Sequence, residues 1–231
     1  MLSLTDYSVS SLLHEGVGTQ VWRGVRHRDR LPVVLKILRD EDPRRGARLH
    51  HEYELSRNLN LPGVVRCLAL ERHRDGWVLV SEDSGGESLK SLLSRTSLDR
   101  SQILRLGRQM AESLAGLHRL GIVHKDVKPS NIIVDATAGQ AWLTDFSIAS
   151  RLEVEAAGAS LNRLEGTFAY LAPEQTGRMN RVVDGRSDIY ALGVVLYQLL
   201  VGELPFTSTD PLELVHCHIA REPQPPHHRQ P

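Results

Sequence analysis

The stretch H124-K-D-V-K-P-S-N131, from His124 to Asn131, decides how the rest of the chain is read. It puts Asp126, Lys128 and Asn131 in one short polar loop ahead of an apolar strand segment, Ile132 to Val134. A carboxylate can orient a hydroxyl and take its proton, an ammonium can steady phosphoryl oxygens, and an amide oxygen can ligate a hard cation such as Mg²⁺. Phosphoryl transfer uses one of each. Four fixed letters at set offsets arise by chance in a chain of this length on the order of once in a thousand, so a mere polar turn before a strand is the weaker reading.

Moving outward, the next carboxylate downstream is Asp145, in the run WLTDFS after a turn at Thr137 to Gln140. A hairpin there would return Asp145 beside Asn131 and add a second oxygen for Mg²⁺. Upstream, Ile103, Leu106, Met110, Leu114 and Leu117 form one apolar stripe at helical spacing, and Gly121 stops it. Before about Ser97 the pattern differs. Leu31 to Leu38 and Trp77 to Ser81 read as strands, and between them Pro43 to Leu59 reads as a helix with Leu49, Glu52, Leu55 and Leu59 on one face. A β-rich small half therefore precedes a helical large half. The junction falls at the Gly85-Gly86 pair, and no internal repeat or low-complexity tract interrupts either half.

Bulk properties narrow the function classes. The 231 residues are 41% hydrophobic and 24% charged, with Lys+Arg 28 balancing Asp+Glu 28. No long-range field marks a binder of nucleic acid or anionic membrane. Two cysteines, Cys67 and Cys217, are too few for a disulfide scaffold and suit a reducing cytoplasm. The N-terminus lacks a basic segment before its apolar residues, and the longest apolar run, around Ala191 to Val201, is too short to span a bilayer. His216-Cys217-His218 and His227-His228 are local clusters whose adjacent side chains diverge on a helix, which makes them poor joint zinc ligands.

The loop HKDVKPSN and the triplet Asp145-Phe-Ser resemble the catalytic loop and the metal-binding triplet of eukaryotic-type serine/threonine protein kinases, and the resemblance runs over nearly the whole chain. It implies an α+β, bilobal fold: an N-lobe at 1–84, a C-lobe at 85–220 that is incomplete at its end, and a disordered or continuing tail at 221–231. It also implies ATP and Mg²⁺ as cofactors and a protein as phosphate acceptor. Lys36, in PVVLKIL, resembles the strand lysine that holds the α- and β-phosphates, and Glu52, in HEYEL, its helix partner. Val80 to Ser84 resembles the hinge that hydrogen-bonds adenine through its backbone, with Glu82 and Ser84 as the binding positions and Val21 packing on the base. Asp126 would be the catalytic carboxylate, Lys128 the cation on the transferred group, and Asn131 and Asp145 the metal ligands. Thr167, in GTFAYLAPE, resembles the hydroxyl that meets the catalytic Asp and Lys, Ala172-Pro173-Glu174 the triplet that closes the activation segment, and Asp188 the buried brace of the catalytic loop.

More narrowly, TFAYLAPEQTGRMNR and DPLELVHCHIA are similar to the kinase domain at the front of large bacterial multidomain sensors, the hybrid histidine kinases. That similarity implies other domains of a larger signalling polypeptide as partners. The chain departs from the kinase pattern at the phosphate-covering loop, HEGVGTQVWRG, where Gly16 alone is firmly in register and His14 and Thr19 stand at glycine positions. Ser147 replaces the glycine after Asp-Phe. Lys125 replaces an arginine whose fork captures phosphate, so phosphorylation at Ser160, for example, is not expected to be an obligatory switch. No arginine from a final helix is at hand to pair with Glu174. A pseudokinase that binds nucleotide and signals by conformation is the rival reading, and a small-molecule phosphotransferase is a more distant one.

Overall fold

The computed structural model describes residues 5–39, 42–73, 76–152, 168–179 and 181–229. These form two compact units: one is drawn from the chain up to Gly85 together with Asp145–Ile148, the other from Gly86–Thr144 and from Ala149 onward. The class is α+β, with strands concentrated in the first unit and helices in the second.

The first unit is a five-stranded antiparallel sheet with one helix. Its strands are β1 (Tyr7–Gly16), β2 (Thr19–Arg26), β3 (Pro32–Leu38), β4 (Cys67–His73) and β5 (Gly76–Glu82), in the order β1-β2-β3-β5-β4. Alternation along β3 assigns two faces. Val33, Leu35 and Ile37 point one way and pack with Val78, Val80 and Tyr7, all buried. Lys36 and Leu38 point the other way, toward a second cluster of Leu38, Leu49, Cys67 and Leu79, which α1 (Pro43–Ser56) covers through Leu49 and Tyr53. Each such aliphatic side chain contributes about 1.5–3 kcal/mol on burial. The helix starts as expected, Asp42 accepting from the Arg44 N–H with Pro43 in the first turn. It ends at Ser56, short of Leu59, which is buried all the same. The apolar spacing outlasted the helix because Leu59 packs from the connecting turn, where its N–H donates to Ser56 O.

The second unit is built on α3 (Arg100–Arg119) and α4 (Gly185–Val201), with the short α2 (Leu89–Leu93), α5 (Pro211–Ala220) and α6 (Pro226–Arg229) around them. Asp99 and Gln102 close a capping box on α3, whose stripe of Ile103, Leu106, Met110, Leu114 and Leu117 is buried. Gly107 of α3 lies against Leu196 of α4, where a Cβ would come within 3.0 Å of Leu196 Cδ2. Strands β6 (Glu87–Ser88), β8 (Ile132–Asp135) and β9 (Gln140–Leu143) make a small sheet, and β7 (Ile122–Val123) pairs with β10 (Ser150–Arg151). Gly86 is required where β6 starts, since a Cβ there would sit 2.7 Å from the Val134 backbone. At the end of the chain, where composition argued for disorder, Pro226–Arg229 form a helical turn, and Arg229 donates to Gln224 and Glu203. No helix among the described residues is long and apolar enough to cross a membrane.

Candidate active site

In the first unit the strand lysine finds both of its partners. Lys36 is opposite Val21 of β2 and Leu79 of β5, so these three share a sheet face. Its Nζ donates to Glu52 Oε2 at 2.8 Å and to Asp145 Oδ1 at 3.1 Å. Glu52 is buried on α1. Asp145 has φ 67°, the left-handed region, which short polar side chains tolerate best, and it accepts a further bond from Ser147 N–H at 3.3 Å. Ser147 in place of glycine thus leaves the carboxylate placed. Burial pulls the Lys36 ammonium toward neutrality, but the charges of Asp145 and Glu52 outweigh it and hold the lysine protonated, its pKa raised. Burial also opposes the charge on Asp145, and Lys36 together with Ser147 overcomes it, so this carboxyl stays well below the usual range. Glu52 goes the other way, pushed up chiefly by burial.

The segment expected to cover the phosphates is a tight hairpin. Gly16 pairs with Thr19 across a two-residue turn, Val17-Gly18, with Gly18 at φ 73°. Glu15 there accepts from Gln20 Nε2 at 2.7 Å and Arg39 Nη1 at 3.0 Å, so residues outside the family's glycine pattern brace the turn. The His14 ring lies against Gly16, its Nε2 3.2 Å from where a Cβ would be. At the positions expected to form the hinge, Glu82 donates its N–H to Arg66 O. Asp83 is held by Arg23, and Ser84 follows before Gly85 at φ 78°.

The second unit holds the catalytic-loop residues together. After α3 and β7 the chain makes the loop and a 3₁₀ turn, Pro129–Asn131, into β8. Asp126 is buried; its Oδ2 accepts from Lys128 Nζ at 2.7 Å and from Asn131 Nδ2 at 2.9 Å. Asn131 Nδ2 also donates to the Asp126 carbonyl, and its amide oxygen accepts from Ser130 Oγ at 3.2 Å. Asp126 Oδ1 is buried with no hydrogen-bond partner among the described residues. Leaving such an oxygen unpaired costs roughly 1–3 kcal/mol, a cost that a protein keeps where the atom has a use. The hairpin expected from Thr137 to Gln140 exists as β8–β9, and Thr144 N–H donates to Asn131 O.

The loop backbone is held from below. Asp188 of α4, fully buried, accepts from His124 N–H at 2.9 Å and Lys125 N–H at 2.7 Å, and it bonds His118 Nε2 at 2.8 Å. Lys125 takes φ 68°, a left-handed conformation costing about 1–2 kcal/mol for a side chain of this type. Asp126 N–H donates to His124 Nδ1, which assigns the ring proton to Nε2, bonded to Thr144 O at 3.1 Å. Burial lowers the Lys125 pKa. Two residues were missed by the sequence reading. Ser187 donates to Glu174 Oε1 at 2.6 Å. Gln175 bonds both the 172–176 turn and the catalytic loop. Only adjacency to Asp188 and Glu174 could have flagged them.

Thr167 and Ser160 lie outside the described residues. His218 is a core histidine, bonded to Tyr190 OH and edge-on to Phe206, with burial lowering its pKa. No group of three or more His, Cys, Asp or Glu side chains able to enclose a metal occurs among the described residues. Mg²⁺ does not need one, because it takes one or two protein oxygens plus phosphates and waters.

Comparison with known proteins agrees with this geometry. Residues 7–227 match the family described as "Protein kinase domain". The chain is 34% identical to the serine/threonine-protein kinase pkn3 of Myxococcus xanthus, over 97% of this chain and 43% of that protein. It is 35% identical to the serine/threonine-protein kinase PknA of Mycobacterium tuberculosis, over 95% of this chain and 52% of that one. With pkn2 of Myxococcus xanthus the identity is 36%, over 84% and 24%. The chain spans about half the length of these relatives or less.

Proposed function

The chain belongs to the protein kinase domain family, and from that membership and the two residue clusters we propose that it transfers the γ-phosphoryl group of ATP to serine or threonine hydroxyls of protein substrates in bacterial signalling. The observation that carries this reading is the Asp126 carboxylate: one oxygen is fixed by Lys128 and Asn131, and the other is buried without a partner among the described residues, as an acceptor waiting for a hydroxyl would be.

In this reading Lys36, held charged by Glu52 and Asp145, positions the α- and β-phosphates. Gly16 and the braced hairpin lie over the phosphates, Val21 packs on the base, and Glu82 and Ser84 offer backbone groups to its edge. Asp126 orients the acceptor hydroxyl and takes its proton. Lys128, free of any covalent role, steadies the group in flight, and positioning with electrostatics supplies most of the rate. Mg²⁺, when bound, neutralises phosphate charge. Asn131, whose amide oxygen accepts from Ser130 Oγ, and Asp145, whose Oδ1 takes Lys36 Nζ and Ser147 N–H, would supply the oxygens for that hard cation. By the family resemblance, Thr167 would complete the set as the hydroxyl that meets Asp126 and Lys128.

The serine/threonine preference, rather than tyrosine, is supported by Lys128 and by the printed names of the relatives. A cytoplasmic location suits two cysteines that are both free and buried. Membership of a larger sensor polypeptide rests on TFAYLAPEQTGRMNR and DPLELVHCHIA alone. Transfer of label from γ-³²P-ATP to a generic acceptor protein, followed by phosphoamino-acid separation, tests the reading. Phosphoserine and phosphothreonine are the expected products; nucleotide-dependent thermal stabilisation with no label transferred, under Mg²⁺ or Mn²⁺, would make the chain a pseudokinase instead.

A further inference from the structure

The peptide unit that joins Lys125 to Asp126 has both of its polar atoms held by side chains. Its N–H donates to His124 Nδ1, and its carbonyl oxygen accepts from Gln175 Nε2 at 2.8 Å. One bond earlier, the Lys125 N–H is fixed by Asp188 Oδ1. The left-handed φ of Lys125 sits between those anchors. A residue in that region keeps its conformation only where its surroundings dictate it, and here three side chains do so, from the loop itself, from α4 and from the 3₁₀ turn Pro173–Thr176. Rotation about the Lys125 backbone would swing the Asp126 carboxylate, so whatever fixes that rotation fixes the carboxylate.

Gln175 is suited to this by chemistry as well as place. It is buried, and its amide uses both ends: Nε2 donates to Lys125 O, and Oε1 accepts from Ala172 N–H at 3.1 Å. A buried amide with both functions satisfied orders the groups at either end of it. The turn it belongs to is fixed in its own right. Thr176 Oγ1 donates to Pro173 O at 2.6 Å, Gly177 takes the left-handed φ of 68°, and Glu174 accepts from Ser187. Displacement of this turn would therefore pull on the carbonyl that precedes Asp126.

We propose that Gln175 is a positioning residue for phosphoryl transfer: through Lys125 O it sets the orientation of Asp126 and makes catalysis depend on the geometry of the Ala172–Thr176 turn. The inference rests on the kinase reading and adds a residue to it. Gln175→Glu is the discriminating change, because a carboxylate of the same shape still accepts from Ala172 N–H but has nothing to donate to Lys125 O.

In the full chain, kcat for Gln175→Glu is expected to fall roughly ten- to a hundredfold, as a small misplacement of a reacting group does, with KM for ATP within about twofold of the parent and the thermal midpoint lower by a few degrees, since Lys125 O loses its donor. Amide exchange of residues 124–126, followed by mass spectrometry, is expected to quicken in the same variant. A kcat within twofold of the parent overturns the proposal. So does a parallel loss of kcat, ATP affinity and thermal midpoint, which would mark a general structural role. Should the parent chain transfer no phosphate, the kinase reading fails by itself, and the exchange measurement then decides: faster exchange at 124–126 upholds the clamp, unchanged exchange removes it.

Discussion

Asp145 shows at the scale of one residue how environment sets charge. Burial alone would raise its pKa, yet Lys36 at 3.1 Å and the Ser147 N–H drive it well below the usual range. A carboxyl whose folded pKa lies below its unfolded one gives stability that is fully present above the unfolded value, about 4, and is lost as pH falls through the folded value. Asp145→Asn keeps a side chain that tolerates left-handed backbone while removing the charge. The gap in thermal midpoint between parent and Asp145→Asn is therefore expected to stay constant from about pH 5 to 8 and to narrow below about pH 4; a gap that widened with acid would contradict the assigned cause. Lys36, Glu52 and Asp145 were each named from sequence order, whereas Gln175 was not, because a glutamine in a turn carries no period and no charge that a pattern could pick out.

Among the elements, α3 buries an apolar stripe in the second unit and delivers the chain to the catalytic loop. Its buried stripe and its cap were legible, since both are local: helical spacing for one, an Asp99 to Gln102 box for the other. Their contributions differ in kind. Leu114→Ala removes a fully buried side chain and is expected to cost about 2–5 kcal/mol in chemical denaturation. Asp99→Ala loses the cap at the helix start and should cost about 1 kcal/mol. Equal losses would show that the helix is held by its ends and not by its packed face. What local pattern hid was long-range pairing. β1 runs ten residues through mostly exposed positions, with register shifts between Val9 and Ser11 and between Leu12 and His14, so its sequence lacks the clean alternation of a half-buried strand. Its partner β2 supplies the order. Likewise Leu59 prolonged the apparent period of α1 past its real end, and the prolines and histidines near the end of the chain concealed the turn that Arg229 ties to Glu203.

For the whole molecule, the division of labour is sharp. The first unit gathers Lys36, Glu52 and Asp145 around one partly buried ammonium, and the second gathers Asp126, Lys128 and Asn131 around one carboxylate. Nucleotide affinity should follow the first group, and transfer to an acceptor should follow the second. A net charge of +0 adds no long-range steering, so acceptor choice rests on local contacts. The separation of the two tasks is open to one direct measurement: ATP-dependent thermal stabilisation and label transfer from γ-³²P-ATP, recorded side by side for the parent chain, Lys36→Met and Asp126→Asn. The account predicts that Lys36→Met loses both, while Asp126→Asn keeps the nucleotide response and loses on the order of a hundredfold or more in transfer. Undiminished transfer by Asp126→Asn would contradict it.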